Sequence, residues 1–254
     1  MPLSSKRRKT ISVQTGPARG ENLLAPAVGT TSAPEFAEAD WLAWQLMDSA
    51  FPTGGFVHSA GLEAAWQQGE VRGRDELFSF LEASLDQLGH ASLPLVMAAF
   101  DQPERLSEWD QWCEAVTLNH VANRASRSQG RALRSAVERI FTVSGPPPSS
   151  SQELPFGHFA PVFGASLRHL KLSRETVGRM FFFNHLRGTL AAAVRLNVVG
   201  PMEAQMVLRR LSSKAEITLK ACAQLTLDKL AQTAPLLDLW QGAHDRLYSR
   251  LFQS

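Results

Sequence analysis

The residues best suited to chemistry stand in one short segment that begins about fifty residues into the chain. His58, Ser59 and Glu63 supply an imidazole, a hydroxyl and a carboxylate just after the turn Pro52-Thr53-Gly54-Gly55. Imidazole and carboxylate groups can ligate a metal or exchange a proton. His58 and Glu63 are five residues apart, however, which places them about 140° apart around a helix and makes them a poor chelating pair. A binding site and a simple helix connector both remain open for this segment.

The rest of the chain offers no stronger catalytic pattern. None of the seven histidines stands three or four residues from another, and no H-E-x-x-H, P-loop or G-x-S-x-G motif occurs. Cys113 and Cys222 are far apart and form no C-x-x-C, which indicates a reducing, cytoplasmic compartment and no structural zinc. We therefore predict no enzyme and no resident metal site. One alternative stays open, an all-α metalloenzyme that uses His58, Glu63 and a distant histidine such as His158.

Aromatic and basic residues are crowded at the other end of the sequence. Tyr248 is the only tyrosine, and Arg250 and Phe252 stand close to it. Chain ends usually fray, so anchor residues of these types predict that residues 245–254, the tail, dock onto a surface. The sequence leaves open whether that surface belongs to the same chain or to a partner.

A stripe of arginines lies between these two segments. Arg124, Arg127, Arg131 and Arg134 fall within about 80° on one predicted helix face. They could form a solvated surface or a dock for an acidic partner.

The elements that must position these residues are helices. Apolar residues recur at helical spacing, with plausible caps at Asp40 and Ser173, a stop at Gly69 and a start at Pro201. No segment shows a sustained period of two. The predicted fold is all-α, a single bundle of roughly ten helices with no significant β-sheet. The predicted helices include 56–68, 77–88, 93–100, 106–116, 122–140, 162–170, 173–200, one that starts at 201, another through 217–230, and 236–244.

Composition and charge narrow the class of protein. Apolar residues make up 44% of the 254 residues, enough for a packed core. The net charge of +2 arises in the first twenty residues, which hold five basic side chains and no acid, so residues 21–254 carry −3. This balance excludes nucleic-acid binding by bulk charge, and no apolar run is long enough for a membrane span. We expect residues 1–38 to be a disordered basic segment, in which a nuclear address is possible, residues 39–254 to form one domain, and 144–156 to be a Pro- and Ser-rich loop.

Four motifs in a fixed order resemble those of the urease accessory protein UreF family. Leu46 to Glu63 resembles the signature L-x-D-S-x-x-P-x-G-(G/S)-F-x-x-S-x-G-L-E, and His244 to Ser254 resembles the ending H-(E/D)-x-L-Y-S-R-L-F-x-S. Between them, His158 to Gly164 resembles a central H-F-x-x-x-F/Y-G element. Ala191 to Gly200 resembles the helix end A-A-x-R-L-x-x-x-G.

The resemblance implies an all-α homodimer that is not itself catalytic and binds no cofactor tightly. It implies partners of the UreD/UreH type and the nickel-carrying GTPase type UreG, with which the protein would bring nickel to apo-urease and regulate GTP hydrolysis. A simple metallochaperone that binds nickel directly through histidines is a second alternative. Many relatives have Glu-Asn where this chain has Arg187-Gly188, so a carboxylate role cannot be transferred to that position.

The resemblance also implies site residues of two kinds. The tail residues that it assigns to docking into the UreD/UreH-like partner are Tyr248, Ser249, Arg250, Leu251 and Phe252. The residues that it assigns to the dimer and the GTPase-facing surface are Pro52, Gly54, Gly55, His58, Ser59, Gly61 and Glu63, with Arg195 as a further candidate. No catalytic and no metal-binding residue is implied.

Overall fold

The described part of the protein is built from helices. A computed structural model describes residues 34–141 and 154–254, and side chains from residue 39 onward. Within these ranges there is no strand, which confirms the all-α prediction. The helices are α1 (Pro34–Leu46), α2 (Leu62–Gln67), α3 (Arg74–Gln87), α4 (Leu93–Asp101), α5 (Leu106–Val116), α6 (His120–Ile140), α7 (Phe159–His169), α8 (Arg174–Arg195), α9 (Pro201–Cys222) and α10 (Pro235–Ala243).

Several predicted helix boundaries are confirmed by the local chemistry. The Ser173 side chain accepts a hydrogen bond from the Thr176 amide and so caps α8, and Pro201 opens α9. Gly69, just after α2, has a φ of 79°, the left-handed conformation that ends helices at low cost for glycine.

Other boundaries were predicted wrongly. Helix α1 begins at Pro34, so Asp40 lies inside it and does not cap it. The helix predicted over 56–68 is divided into a short 3₁₀ turn, Gly55–Val57, and α2, because Ala60 and Gly61 both adopt positive φ. Helix α9 continues without a break to Cys222, where two helices were predicted. Residues 1–33 and 142–153 lie outside the described residues.

Helix α7 occupies the centre of the bundle and packs against α4, α5, α6 and α8. Its contact with α4 is close because position 164 has no side chain. A methyl group on Gly164 would lie 2.0 Å from the carbonyl oxygen of Val96. Gly130 of α6 allows a similar approach, to the carbonyl oxygen of Gly157 just before α7. These glycines bring the backbones of three elements together.

A π-helical turn, Leu88–Ser92, joins α3 to α4 without a break. The connection between α9 and α10 is tied to this region, because the Gln87 side-chain oxygen accepts hydrogen bonds from the Thr233 and Ala234 amides. No helix in the described ranges is both long and apolar enough to cross a membrane.

Candidate partner-binding site

The segment of residues 48–63, here called the turn segment, owes its path to two glycines. Gly54 has a φ of 69° and Gly61 a φ of 87°, values that side chains disfavour. Gly61 also lies against α10, where an added methyl group would stand 3.1 Å from the Gln241 amide nitrogen. This contact sets the start of α2 beside α10, and therefore beside the tail that follows α10.

Glu63, in the first turn of α2, is the centre of the contact with the tail. Its carboxylate is buried and accepts hydrogen bonds from the Leu251 amide at 2.6 Å and the Phe252 amide at 3.1 Å. The Nε2 atom of the buried His244 lies 3.1 Å from the same carboxylate. Charge-assisted bonds of this kind are stronger than neutral ones, so Glu63 fixes the tail firmly to the body.

His58 and Ser59 hold the last residue of the tail. The Ser59 amide donates to the Ser254 backbone oxygen at 2.6 Å, and the Ser59 hydroxyl donates to it at 3.1 Å. The His58 Nδ1 atom shares a hydrogen bond of 2.5 Å with the Ser254 hydroxyl. Burial lowers the pKa of His58 to about 4, with the nearby charge of Arg124 and His244 acting in the same direction, so the imidazole is neutral near pH 7.

Arg195, at the end of α8, contacts the tail through Phe252. Its guanidinium lies over the ring of Phe252, 4.3 Å from the centroid, and donates to the Phe56 carbonyl oxygen at 2.7 Å. Phe252 is buried, with 5% of its surface exposed. In the single chain, therefore, the tail docks onto its own body, where Phe252 fills a pocket.

Other tail residues face outward. Tyr248 is fully exposed and Leu251 is half exposed. Arg250 pairs with Asp245 at 3.3 Å, and Asp245 also receives Arg124 of α6 at 2.8 Å. The Ser249 carbonyl oxygen accepts from the Gln67 side chain at 2.8 Å. The tail is therefore a segment with one buried side and one outward side.

The structure brings most of the predicted site residues into this one unit. Residues of the turn segment, the end of α8 and the tail meet although they are far apart in sequence. Pro52 and Gly54 shape the turn itself and lie away from the contact with the tail. A methyl group on Gly54 would contact nothing within 4 Å. Gly55 lines a cleft beside the turn. Their roles toward a dimer mate or a GTPase stay predictions.

The sequence does not predict two further buried contacts. His244 opens the tail motif, yet its pairing with Glu63 spans 181 residues and has no local signal. Asp110 is buried in α5 and accepts hydrogen bonds from the amides of Phe156, Gly157 and His158, at 2.7 to 2.9 Å. It thereby fixes the end of the predicted 144–156 loop, whose last three residues are described and attached to the body.

The side chains proposed for a metalloenzyme do not converge. His158 is buried and bonds to Glu114 at 2.8 Å and to Ser126 at 3.1 Å, whereas His58 and Glu63 contact the tail. Among residues 34–141 and 154–254, no three His, Cys, Asp or Glu side chains form a group that could hold a metal ion. Among the described residues, these three side chains thus do not share a metal site.

The arginine stripe of α6 is largely engaged within the chain. Arg124 pairs with Asp245 at 2.8 Å, Arg134 pairs with Glu138 at 3.0 Å, and Arg127 lies over the ring of Phe156. Two of the four guanidinium groups thus pair with carboxylates. The buried Nε atom of Arg127 has no hydrogen-bond partner among the described residues, and Arg131 is exposed.

Comparison with known proteins decides the family. The sequence profile of UreF matches residues 71–212. The chain belongs to the UreF family. The turn segment and the tail lie outside the residues matched by the UreF profile, so their joint geometry is an observation independent of that match.

Named members of the UreF family are similar over most of the chain. Urease accessory protein F of Arabidopsis thaliana is 38% identical, covering 84% of this chain and 92% of the relative. The protein of that name from Oryza sativa subsp. indica is 36% identical over 84% of both chains. Urease accessory protein UreF of Mycobacterium tuberculosis strain H37Rv is 31% identical, covering 82% of this chain and 96% of the relative. A role as a urease accessory protein follows from this membership.

Proposed function

We propose that this protein is a non-catalytic scaffold in the maturation of urease. As a cytoplasmic homodimer it binds a UreD/UreH-type accessory protein and a UreG-type nickel-carrying GTPase, and it regulates that GTPase so that nickel reaches apo-urease. Nickel is the cargo of the complex, and the chain itself holds no tightly bound cofactor. The names of its relatives support the accessory role, and the two buried, unpaired cysteines suit a reducing compartment.

One observation carries the partner-binding part of the proposal. The tail is anchored from within by Glu63, Ser59 and Arg195, so its outward residues Tyr248 and Leu251 sit on a rigid base. A preorganised surface loses less conformational entropy when it binds, and tyrosine is enriched among the residues that supply most of the binding energy of interfaces. The tail can therefore bind the partner without first having to fold.

Exposed apolar side chains elsewhere support a protein covered by other chains. In the described ranges they include Trp41, Trp44, Phe56, Trp66, Trp112, Leu118, Met202, Met206, Ile217, Leu236 and Leu239. Such residues are found singly on most proteins, but so many large ones suit a surface that meets a dimer mate and two partners.

The test combines co-purification with complementation. Full-length protein returned to a deletion strain should restore urease activity and co-purify with both accessory partners. A version that lacks Leu247 to Ser254 should lose the UreD/UreH-type partner and the activity. Full urease activation in the strain that lacks this protein would contradict the proposal.

A further inference from the structure

A cleft of about 250 Å³ opens beside the turn segment, between that segment, α6 and α8. Its lining is apolar in larger part, with polar side chains interspersed. The polar residues of the lining include Ser49, Thr53, Gln129, Asn184, Arg187 and Thr189. None of the residues that line the cleft within the described ranges is an aspartate or a glutamate, and Arg187 is the one lysine or arginine among them.

Arg187 is partly buried and lacks a close counter-ion. Its guanidinium donates to the Met47 carbonyl oxygen and, at 3.1 Å, to the Asn184 side-chain oxygen. No carboxylate among the described residues lies within 4 Å of it. The nearest acidic influence is Asp48, whose carboxylate accepts from the Ala50 amide at 2.7 Å. Burial lowers the pKa of Arg187, and the charge of Asp48 acts in the opposite direction.

The other titratable groups of the cleft carry no charge near neutral pH. Burial lowers the pKa of His58 to about 4, and it lowers the pKa of His185 to about 4 as well. The cleft thus presents one guanidinium, neutral imidazoles, amides and hydroxyls. This arrangement repels a free cation and attracts an anion.

We propose that this cleft is a binding site for a small oxyanion, of the carboxylate, carbonate or phosphate class. The Arg187 guanidinium has more N–H donors than its two hydrogen bonds use, and it can offer charge-assisted bonds to an oxyanion. Hydroxyl and amide groups of the lining supply neutral donors. The inference does not rest on the proposed scaffold function.

The first experiment uses the full chain and two probes, inorganic phosphate and acetate. Calorimetric titration at constant ionic strength, with chloride as the balancing anion, should give a saturable heat with a dissociation constant in the roughly millimolar range for at least one probe. The same anion should raise the melting temperature. An unsaturable or absent heat with both probes would overturn the proposal.

Two variants at position 188 locate the site. A methyl group on Gly188 would contact nothing within 4 Å, so this helix position next to Arg187 accepts a side chain. Gly188→Asp places a carboxylate in the cleft and should weaken anion binding at least about tenfold by pairing with Arg187 and repelling the probe. Gly188→Ala adds bulk without charge and should bind as the natural protein does. Equal binding by both variants would overturn the assignment.

Arg187→Gln tests the guanidinium itself. It should weaken binding at least about tenfold, whereas Arg209→Gln, on the exposed side of α9, should leave binding unchanged. If Arg187→Gln fails to fold, the comparison of Gly188→Asp with Gly188→Ala still tests whether the anion binds in the cleft. Those two variants leave the hydrogen bonds of Arg187 to Met47 and Asn184 in place.

Discussion

At the scale of single residues, Glu63 connects two parts of the chain that the sequence keeps far apart. Its carboxylate satisfies two backbone amides of the tail and faces His244. A buried carboxylate is costly to desolvate, and here these hydrogen bonds offset that cost. The tail is therefore anchored by a group whose removal leaves buried donors unpaired.

Glu63→Gln should release the tail and lower stability. The amide keeps the shape of the side chain but loses its charge, and its NH₂ group would replace one of the two oxygens and face the amide of either Leu251 or Phe252. We expect the free energy of unfolding to fall by about 2 to 4 kcal/mol, measured by urea denaturation, and the tail to become sensitive to proteases. Glu76→Gln, at an exposed position in α3, is the control and should change neither. A variant as stable and protease-resistant as the natural protein would refute the anchoring role.

The stability of the protein should fall as the pH falls from about 6.5 to about 4. Burial lowers the pKa of His58 and of His185 to about 4, below their ordinary value of 6.5, so the unfolded chain takes up protons first. Their stabilising contribution is complete above pH 6.5 and is lost through this window, at about 2 kcal/mol for the partly exposed His58. His58→Gln should flatten part of this dependence, whereas His169→Gln, at the end of α7, should not. Parallel pH profiles for His58→Gln and the natural protein would rule out this role.

Individual residues also show which features of the site the sequence could predict and which it could not. Spacing placed His58, Ser59 and Glu63 just beyond a turn, and chemistry marked Tyr248 and Phe252 as anchors. It could not pair Glu63 with His244, because no periodicity or motif links residues that are 181 positions apart. Nor could it show that Phe252 is buried in its own chain while Tyr248 faces solvent.

At the scale of elements, close helix contacts depend on glycine. Gly164→Ala would place a methyl group 2.0 Å from the Val96 carbonyl oxygen and force α7 away from α4. We expect a loss of at least about 1 to 3 kcal/mol in the free energy of unfolding, measured by thermal or chemical denaturation.

Gly188→Ala in α8 is the matched control for that change. Its added methyl group contacts nothing within 4 Å, and alanine favours a helix over glycine by up to about 1 kcal/mol. It should keep or raise stability. Equal effects at positions 164 and 188 would contradict the packing account.

Helical periodicity predicted α3, α5, α6 and α8 because their apolar faces are regular. The predicted helix boundaries were wrong where the local backbone conformation, and not the apolar pattern, sets the boundary. Ala60 and Gly61 break the expected helix with positive φ, and the apolar pattern before Asp40 is too weak to predict that α1 begins at Pro34. The π-turn between α3 and α4 has no pattern of its own, since the apolar residues continue through it.

At the scale of the whole molecule, the fold joins its two distant motif segments into one surface. Helix α7 fixes the bundle, α10 lies against α2, and the tail returns to the turn segment. The sequence could predict the helical class and the two segments separately. The contact between the two segments depends on tertiary packing, which a single sequence does not reveal.

The measurement that tests this account most directly is the affinity of a double variant, Tyr248→Ala with Leu251→Ala, for the UreD/UreH-type partner. Both side chains are exposed, so the melting temperature of the variant should match that of the natural protein. Binding should weaken by at least about a hundredfold, since truncation of a hot-spot tyrosine costs about 2 kcal/mol or more and the lost apolar contact of Leu251 adds to that cost. Undiminished affinity in a stable, correctly folded double variant would contradict the claim that the anchored tail presents the partner-binding surface.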